Sequence, residues 1–166
     1  MLVRFAYASH RMPVKVYNFS MKDGGERFRL RSAVYLILIQ DGKVLLSKRK
    51  NTGWEDGNYT LVSGHLERGE SVINAMVREA KEEAGINVLP GDLEVKVVMH
   101  RKANYEYIDF FLSVKKWEGE IVNTEPDKCE ELKWFELDKL PENMIPSMRI
   151  GLENYQKGIF FSEAGF

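Results

Sequence analysis

Three carboxylates crowd the end of one predicted helix. In "GHLERGESVINAMVREAKEEAGI", residues 64–86, Glu79 precedes Glu82 by three residues and Glu83 by four, spacings that place helical side chains on neighbouring points of one surface. Glu82 and Glu83 also stand in the last turn, where the helix dipole is already negative. When solvated, such repulsion costs only about a few tenths of a kcal/mol per pair, and Arg78 and Lys81 offset part of it, so a solvated acidic face explains the helix taken alone. The preceding loop adds a second reading. Gly64 and Gly69 let backbone groups come close to a ligand, and a strand-loop-helix order sets that loop beside the carboxylates. A hard divalent cation takes carboxylate and carbonyl oxygens, so the loop can supply a carbonyl and the helix the charge. Unfavourable without a cation, the cluster becomes favourable around one that also binds phosphate oxygens.

The elements that must position this cluster are legible from pattern. Ser71 is a helix N-cap, Val72, Ile73, Met76, Val77, Ala80 and Ala84 recur at helical spacing, and Gly85 is a C-terminal stop. Upstream, "RSAVYLILIQ" (31–40), the turn "DG" and "KVLLSKR" (43–49) predict a β-hairpin in the core, followed by polar "KNTGWEDGN" (50–58) and the strand "YTLVS". Downstream come a "PGD" turn, strands near 93–101 and 107–116, a strand at 130–137 and a helix from about Ser147 to Lys157. This order predicts one α/β domain with a mixed sheet.

The chain has 166 residues, 44% of them hydrophobic and 30% charged, enough for one core. A net charge of -1 gives no overall basic field, so neither nucleic acid nor an anionic membrane is expected as a partner. Cys129 is the single cysteine, and no apolar run is long enough to span a bilayer, which together point to a reducing, cytoplasmic compartment. The first 22 residues carry basic side chains and no acidic one, as transit peptides do, but "VKVYNF" (14–19) has the β-branched and aromatic content of an added strand, and we read residues 1–30 as an N-terminal extension.

Taken together, Gly64, Glu70, Arg78-Glu79, Ala80, Glu82-Glu83, Gly85 and Ile86 resemble the complete Nudix box of the Nudix hydrolases, with every fixed position present. The likeness extends over roughly residues 31–157. It implies a Nudix domain over 31–166, an α/β/α sandwich with a mixed sheet between helices, and hydrolysis of a nucleoside diphosphate linked to a moiety X. Mg²⁺ is the implied cofactor, with Mn²⁺ as the alternative. The resemblance puts Glu79, Glu82 and Arg78 in the catalytic group, and Gly64, Glu79, Glu82 and Glu83 around the metal. Arg78, able to pair with Glu82 or reach back to Glu70, reads as an orienting residue.

Outside the box, "WEGEIVNTE" (117–125) resembles a segment of MutT-type enzymes whose last glutamate enters the metal site, which nominates Glu125. Arg49 matches a phosphate-binding position of the same group, and Asn143 is a candidate for reading a base edge. Ser147 and Met148 stand where one oxidised-purine branch carries paired aspartates. There is no proline between Pro90 and Pro126, so the proline that follows the box in many ADP-ribose hydrolases is missing. The MutT-type likeness implies cleavage of a nucleoside triphosphate to monophosphate and pyrophosphate, as in nucleotide-pool sanitation. A nucleoside diphosphate sugar or alcohol is the alternative substrate, and a non-catalytic nucleotide-binding domain the alternative of another class. The pattern is open to a homodimer. Trp54, Tyr59, Trp134 and Phe135 are expected in the core, His100 and Arg101 at a sheet edge, and Cys129 as an inert thiol.

Overall fold

The computed structural model describes residues 28–166; the strand expected at 14–19 lies outside the described residues. Eleven strands and helices follow in order: β1 (Arg31–Ile37), β2 (Ile39–Gln40), β3 (Lys43–Arg49), β4 (Tyr59–Thr60), β5 (Val62–His65), α1 (Val72–Ala84), β6 (Leu93–Lys102), β7 (Glu106–Val114), β8 (Cys129–Glu136), α2 (Pro146–Lys157) and β9 (Phe161–Ala164). A five-stranded sheet has the order β5-β1-β7-β6-β9, with β1 parallel to β7 and β9 parallel to β6 among antiparallel neighbours.

Side chains alternate across β1, but both of its faces are buried. Val34 and Leu36 pack with Met76, Ala80 and Ala84 of α1, while Tyr35 and Ile37 pack with Met148 and Leu152 of α2. This is the expected α/β/α sandwich, and it explains why the strand reads as a continuous apolar run rather than an alternating one. Among the described residues no helix is long and apolar enough to cross a membrane.

The expected hairpin is corrected in extent. The run 31–40 breaks at Leu38: β1 stays in the five-stranded sheet, and β2 crosses to a second sheet with β3, β4 and β8. Only Ile39 and Gln40 face Val44 and Lys43, across a turn in which Asp41 and Gly42 both take positive φ (51° and 75°). β3 pairs instead with β8 along its length. Strand β9 was not expected; it covers β6, so His100 and Arg101 are interior to the sheet rather than at its edge.

Helix α1 forms as its pattern predicts. The Asn74 N–H donates to Ser71 Oγ (3.2 Å), and Gly85, at φ 71°, donates its N–H to the Lys81 carbonyl (3.2 Å). Its buried residues are Ala75, Met76, Ala80, Ala84 and one glutamate, Glu79.

Candidate active site

The C-terminal turn of α1 leaves carbonyls without helical partners, and the loop between β7 and β8 takes them up. Val122 N–H donates to the Ala84 carbonyl (3.0 Å), Thr124 N–H to that of Glu83 (3.3 Å) and the Thr124 hydroxyl to that of Glu82 (2.5 Å). Docked there, the loop brings Glu125 beside the helix glutamates, where it lines the same cavity as Glu79, Glu82 and Glu83.

Arg78 holds this surplus of acid together. Its Nε and one Nη2 hydrogen form a fork on Glu70 (3.0 Å each), Nη1 donates to Glu79 (2.6 Å) and Glu82 (2.9 Å), and Nη2 also reaches the His65 carbonyl (3.1 Å). A guanidinium has five N–H donors, and all five are used. Arg78 therefore ties the loop to the glutamates and has no N–H group left over.

Gly64 is required by space rather than by φ: a Cβ built there would run into the Glu79 carboxylate. Glu79 is thus pressed against the strand that ends in the loop, with 8% of its surface exposed. Burial pushes its carboxyl up, with Arg78 opposing. Burial pushes the Glu83 carboxyl up to about 8, opposed by the Ser63 N–H at 2.9 Å and the field of Arg49 and reinforced by the neighbouring charges of Glu79 and Glu125. Glu125 is held by Lys128 Nζ at 2.7 Å. Among the described residues no three His, Cys, Asp or Glu side chains converge into a formed metal cage, because each of these carboxylates is turned to a donor of the protein. The donor set still fits a hard divalent cation: it is all oxygen, it carries more negative than positive charge, and burial makes two of its members costly to ionise alone.

The glutamates line a cavity of about 590 Å³ that also takes in Gly64, Arg78, Arg49 and Lys128. Of the residues expected at the site, Asn143 alone is not part of it. Its side-chain amide donates to the Gly57 carbonyl (2.8 Å) and its main-chain carbonyl accepts from Tyr59 N–H (2.9 Å), so it pins the loop before β4. Arg49 lines the cavity but uses Nε on the Trp54 carbonyl (2.8 Å) and Nη2 on the Thr52 hydroxyl (2.9 Å), which leaves three N–H groups for a ligand.

Tyr59 is buried, and Trp134 and Phe135 pack against the two cores as expected. Trp54 does not: it is 48% exposed and lines the cavity. Its place in a polar, glycine-containing loop was the available signal. Tyr35, His65 and Lys128 also line the cavity and were not singled out; their positions depend on strand pairing and loop docking, which local pattern does not carry. Cys129 is buried, accepts a hydrogen bond from the Ser47 hydroxyl (3.2 Å) and has its thiol pushed up by burial.

The sequence pattern of one family, described as NUDIX domain, matches residues 29–155. The NAD-capped RNA hydrolase NudC of Pseudomonas aeruginosa is 30% identical over an alignment 136 residues long that covers 73% of this chain and 41% of that protein. The ADP-ribose pyrophosphatase of Methanocaldococcus jannaschii is 35% identical over 111 residues, 66% of this chain and 64% of that one. A crystal structure of a MutT NUDIX hydrolase from Burkholderia pseudomallei superposes with a TM-score of 0.69 at 30% identity, covering 75% of this chain and 97% of that one.

Proposed function

The chain belongs to the Nudix family, and on that premise we propose that it hydrolyses a nucleoside diphosphate linked to a further group, most favourably a nucleoside triphosphate to monophosphate and pyrophosphate. The observation that carries this reading is the convergence of Glu79, Glu82, Glu83 and Glu125, from a helix and a separate loop, on one cavity whose acid outnumbers its free cations. Residues 31–166 form the hydrolase domain, residues 1–30 an extension, and the single buried cysteine suits a cytoplasmic setting.

Glu79, Glu82, Glu83 and Glu125, with the Gly64 carbonyl, would hold Mg²⁺ or Mn²⁺. Bound there, the ion supplies neutralisation of phosphate charge and polarisation of the anhydride. The chain does the rest. Arg49, with three N–H groups available, takes phosphate oxygens, and Lys128 adds charge at the cavity wall. A water oxygen attacks phosphorus, its proton passes to a carboxylate oxygen, and the anhydride oxygen leaves with the bonding electron pair. Glu79 suits the proton-accepting role, because burial raises its affinity for a proton while Arg78 fixes its orientation.

The relative named as an ADP-ribose pyrophosphatase favours a second reading, a nucleoside diphosphate sugar as substrate. One experiment separates them: chromatography of the products, the nucleoside monophosphate with either pyrophosphate or a phosphorylated sugar or alcohol, from nucleoside triphosphates, oxidised nucleotides, ADP-ribose and nucleoside diphosphate alcohols, with Mg²⁺ or Mn²⁺, for the parent and Glu82→Gln. Pyrophosphate from triphosphates, abolished by the substitution, is the expected result. Turnover of ADP-ribose alone would favour the second reading, and nucleotide binding without turnover would leave a binding module.

A further inference from the structure

The loop from Lys50 to Asn58 is built at some conformational cost to hold one side chain outward. Four of its residues take positive φ, and two of them, Asn51 (54°) and Glu55 (54°), are not glycine. The Asp56 carboxylate ties the turn by accepting from the N–H groups of Thr52 and Gly53 (2.9 Å each) and from the Thr52 hydroxyl (2.6 Å). The loop is also fastened to the segment that carries Glu125, through Lys50 N–H to the Lys128 carbonyl (2.8 Å) and the Asn51 amide to the Asp127 carbonyl (3.3 Å).

What this scaffold presents is Trp54. Trp117 and Trp134 pack against the core, whereas Trp54 is 48% exposed on the cavity wall. The Arg49 guanidinium lies against its ring, 4.9 Å from the centroid, while Arg49 Nε grips the Trp54 carbonyl. Among the described residues no aromatic ring packs on it. A large flat ring, backed by a cation, opens onto a cavity that also holds the candidate diphosphate machinery.

We propose that Trp54 is the platform on which the aromatic base of the substrate stacks, with Arg49 bracing the ring and offering its remaining N–H groups to the phosphates. This rests on the nucleotide reading above and adds to it which end of the cavity takes the base. Stacking on one aromatic face tolerates any base, because every base has a π-face, so Trp54 supplies affinity for a nucleotide over a bare phosphate chain rather than a choice between bases.

The test is calorimetric binding of AMP, GMP and inorganic pyrophosphate, with Mg²⁺, to the parent, Trp54→Phe and Trp54→Ala. Circular dichroism checks that the exposed substitution leaves the fold in place. The expected result is about a tenfold or greater loss of AMP and GMP affinity in Trp54→Ala, recovery of most of it in Trp54→Phe, and unchanged pyrophosphate binding in both. An equal loss for pyrophosphate would mean that Trp54 acts only by holding Arg49, and unchanged nucleotide binding would mean that the ring takes no base; either overturns the proposal. If the parent binds pyrophosphate but neither nucleotide, the nucleotide reading itself falls and this one with it, a failure that the parent alone reveals.

Discussion

Two arginines in this protein hold carboxylates, and they do so in opposite balance. Arg101 and Asp109 sit diagonally on neighbouring strands β6 and β7, with Nε 2.6 Å from Oδ2, Asp109 wholly buried and Arg101 8% exposed. Burial pushes the Asp109 carboxyl up, and the single guanidinium pulls it back. One charge meets one charge within the β6–β7 ladder. Arg78 instead serves three glutamates, while Glu83 beside it accepts a hydrogen bond from a backbone N–H and forms no ion pair among the described residues, and Glu125 is held by a partner of its own. A balanced pair needs nothing further; a surplus of buried acid is stable only if something else brings positive charge. That difference in balance, one acid per guanidinium against three, is what the proposed cation site rests on.

The comparison breaks most visibly on stability. Asp109→Asn leaves Arg101 charged and unpaired in the sheet, and should cost about 3–5 kcal/mol in denaturant unfolding. The folded fraction should keep its metal dependence; a variant of normal stability would place the two arginines in one class. Next comes Arg78→Lys. One ammonium has three donors and cannot meet five acceptors in three directions, so steady-state kcat/KM should fall about 100-fold. Arg101→Lys, by contrast, should act on stability and not on turnover of the folded enzyme.

Gly64→Ala sharpens the contrast further, because the methyl group must displace the Glu79 carboxylate while leaving the fold alone. We expect about a tenfold loss of kcat/KM with little change in Tm. The smallest effect is on pH. Without metal, burial holds the Glu83 carboxyl up at about 8 against 4.5 unfolded. Between those values the folded state binds more protons than the unfolded one, so the stability of the metal-free protein should decline as pH rises through this window. Glu83→Gln should flatten that decline, with a gain of a few degrees in Tm at the upper end.

What was legible in the sequence was local. Ser71, the apolar period and Gly85 define α1 because capping and amphipathicity act within a few residues, and the box from Gly64 to Ile86 lies inside one strand-loop-helix unit. Glu125 was reachable only through resemblance, since its place depends on Val122 and Thr124 docking on the end of α1. The break at Leu38 left no trace because residues on either side of it face a core, and β9 was missed because a short strand pairing parallel to a distant one has no turn signal. Trp54 and Trp134 are chemically identical letters. Only the positive-φ loop around the first and the ladder around the second send one to the cavity and the other to the core.

The most direct test of the central claim is thermal unfolding of the parent and Glu83→Gln, each in EDTA and in saturating Mg²⁺. If the glutamate surplus is a cation site, the parent should gain several degrees with Mg²⁺, while Glu83→Gln should begin higher in EDTA and gain much less. Equal melting of the parent with and without Mg²⁺, or a Glu83→Gln variant less stable than the parent in EDTA, would contradict it.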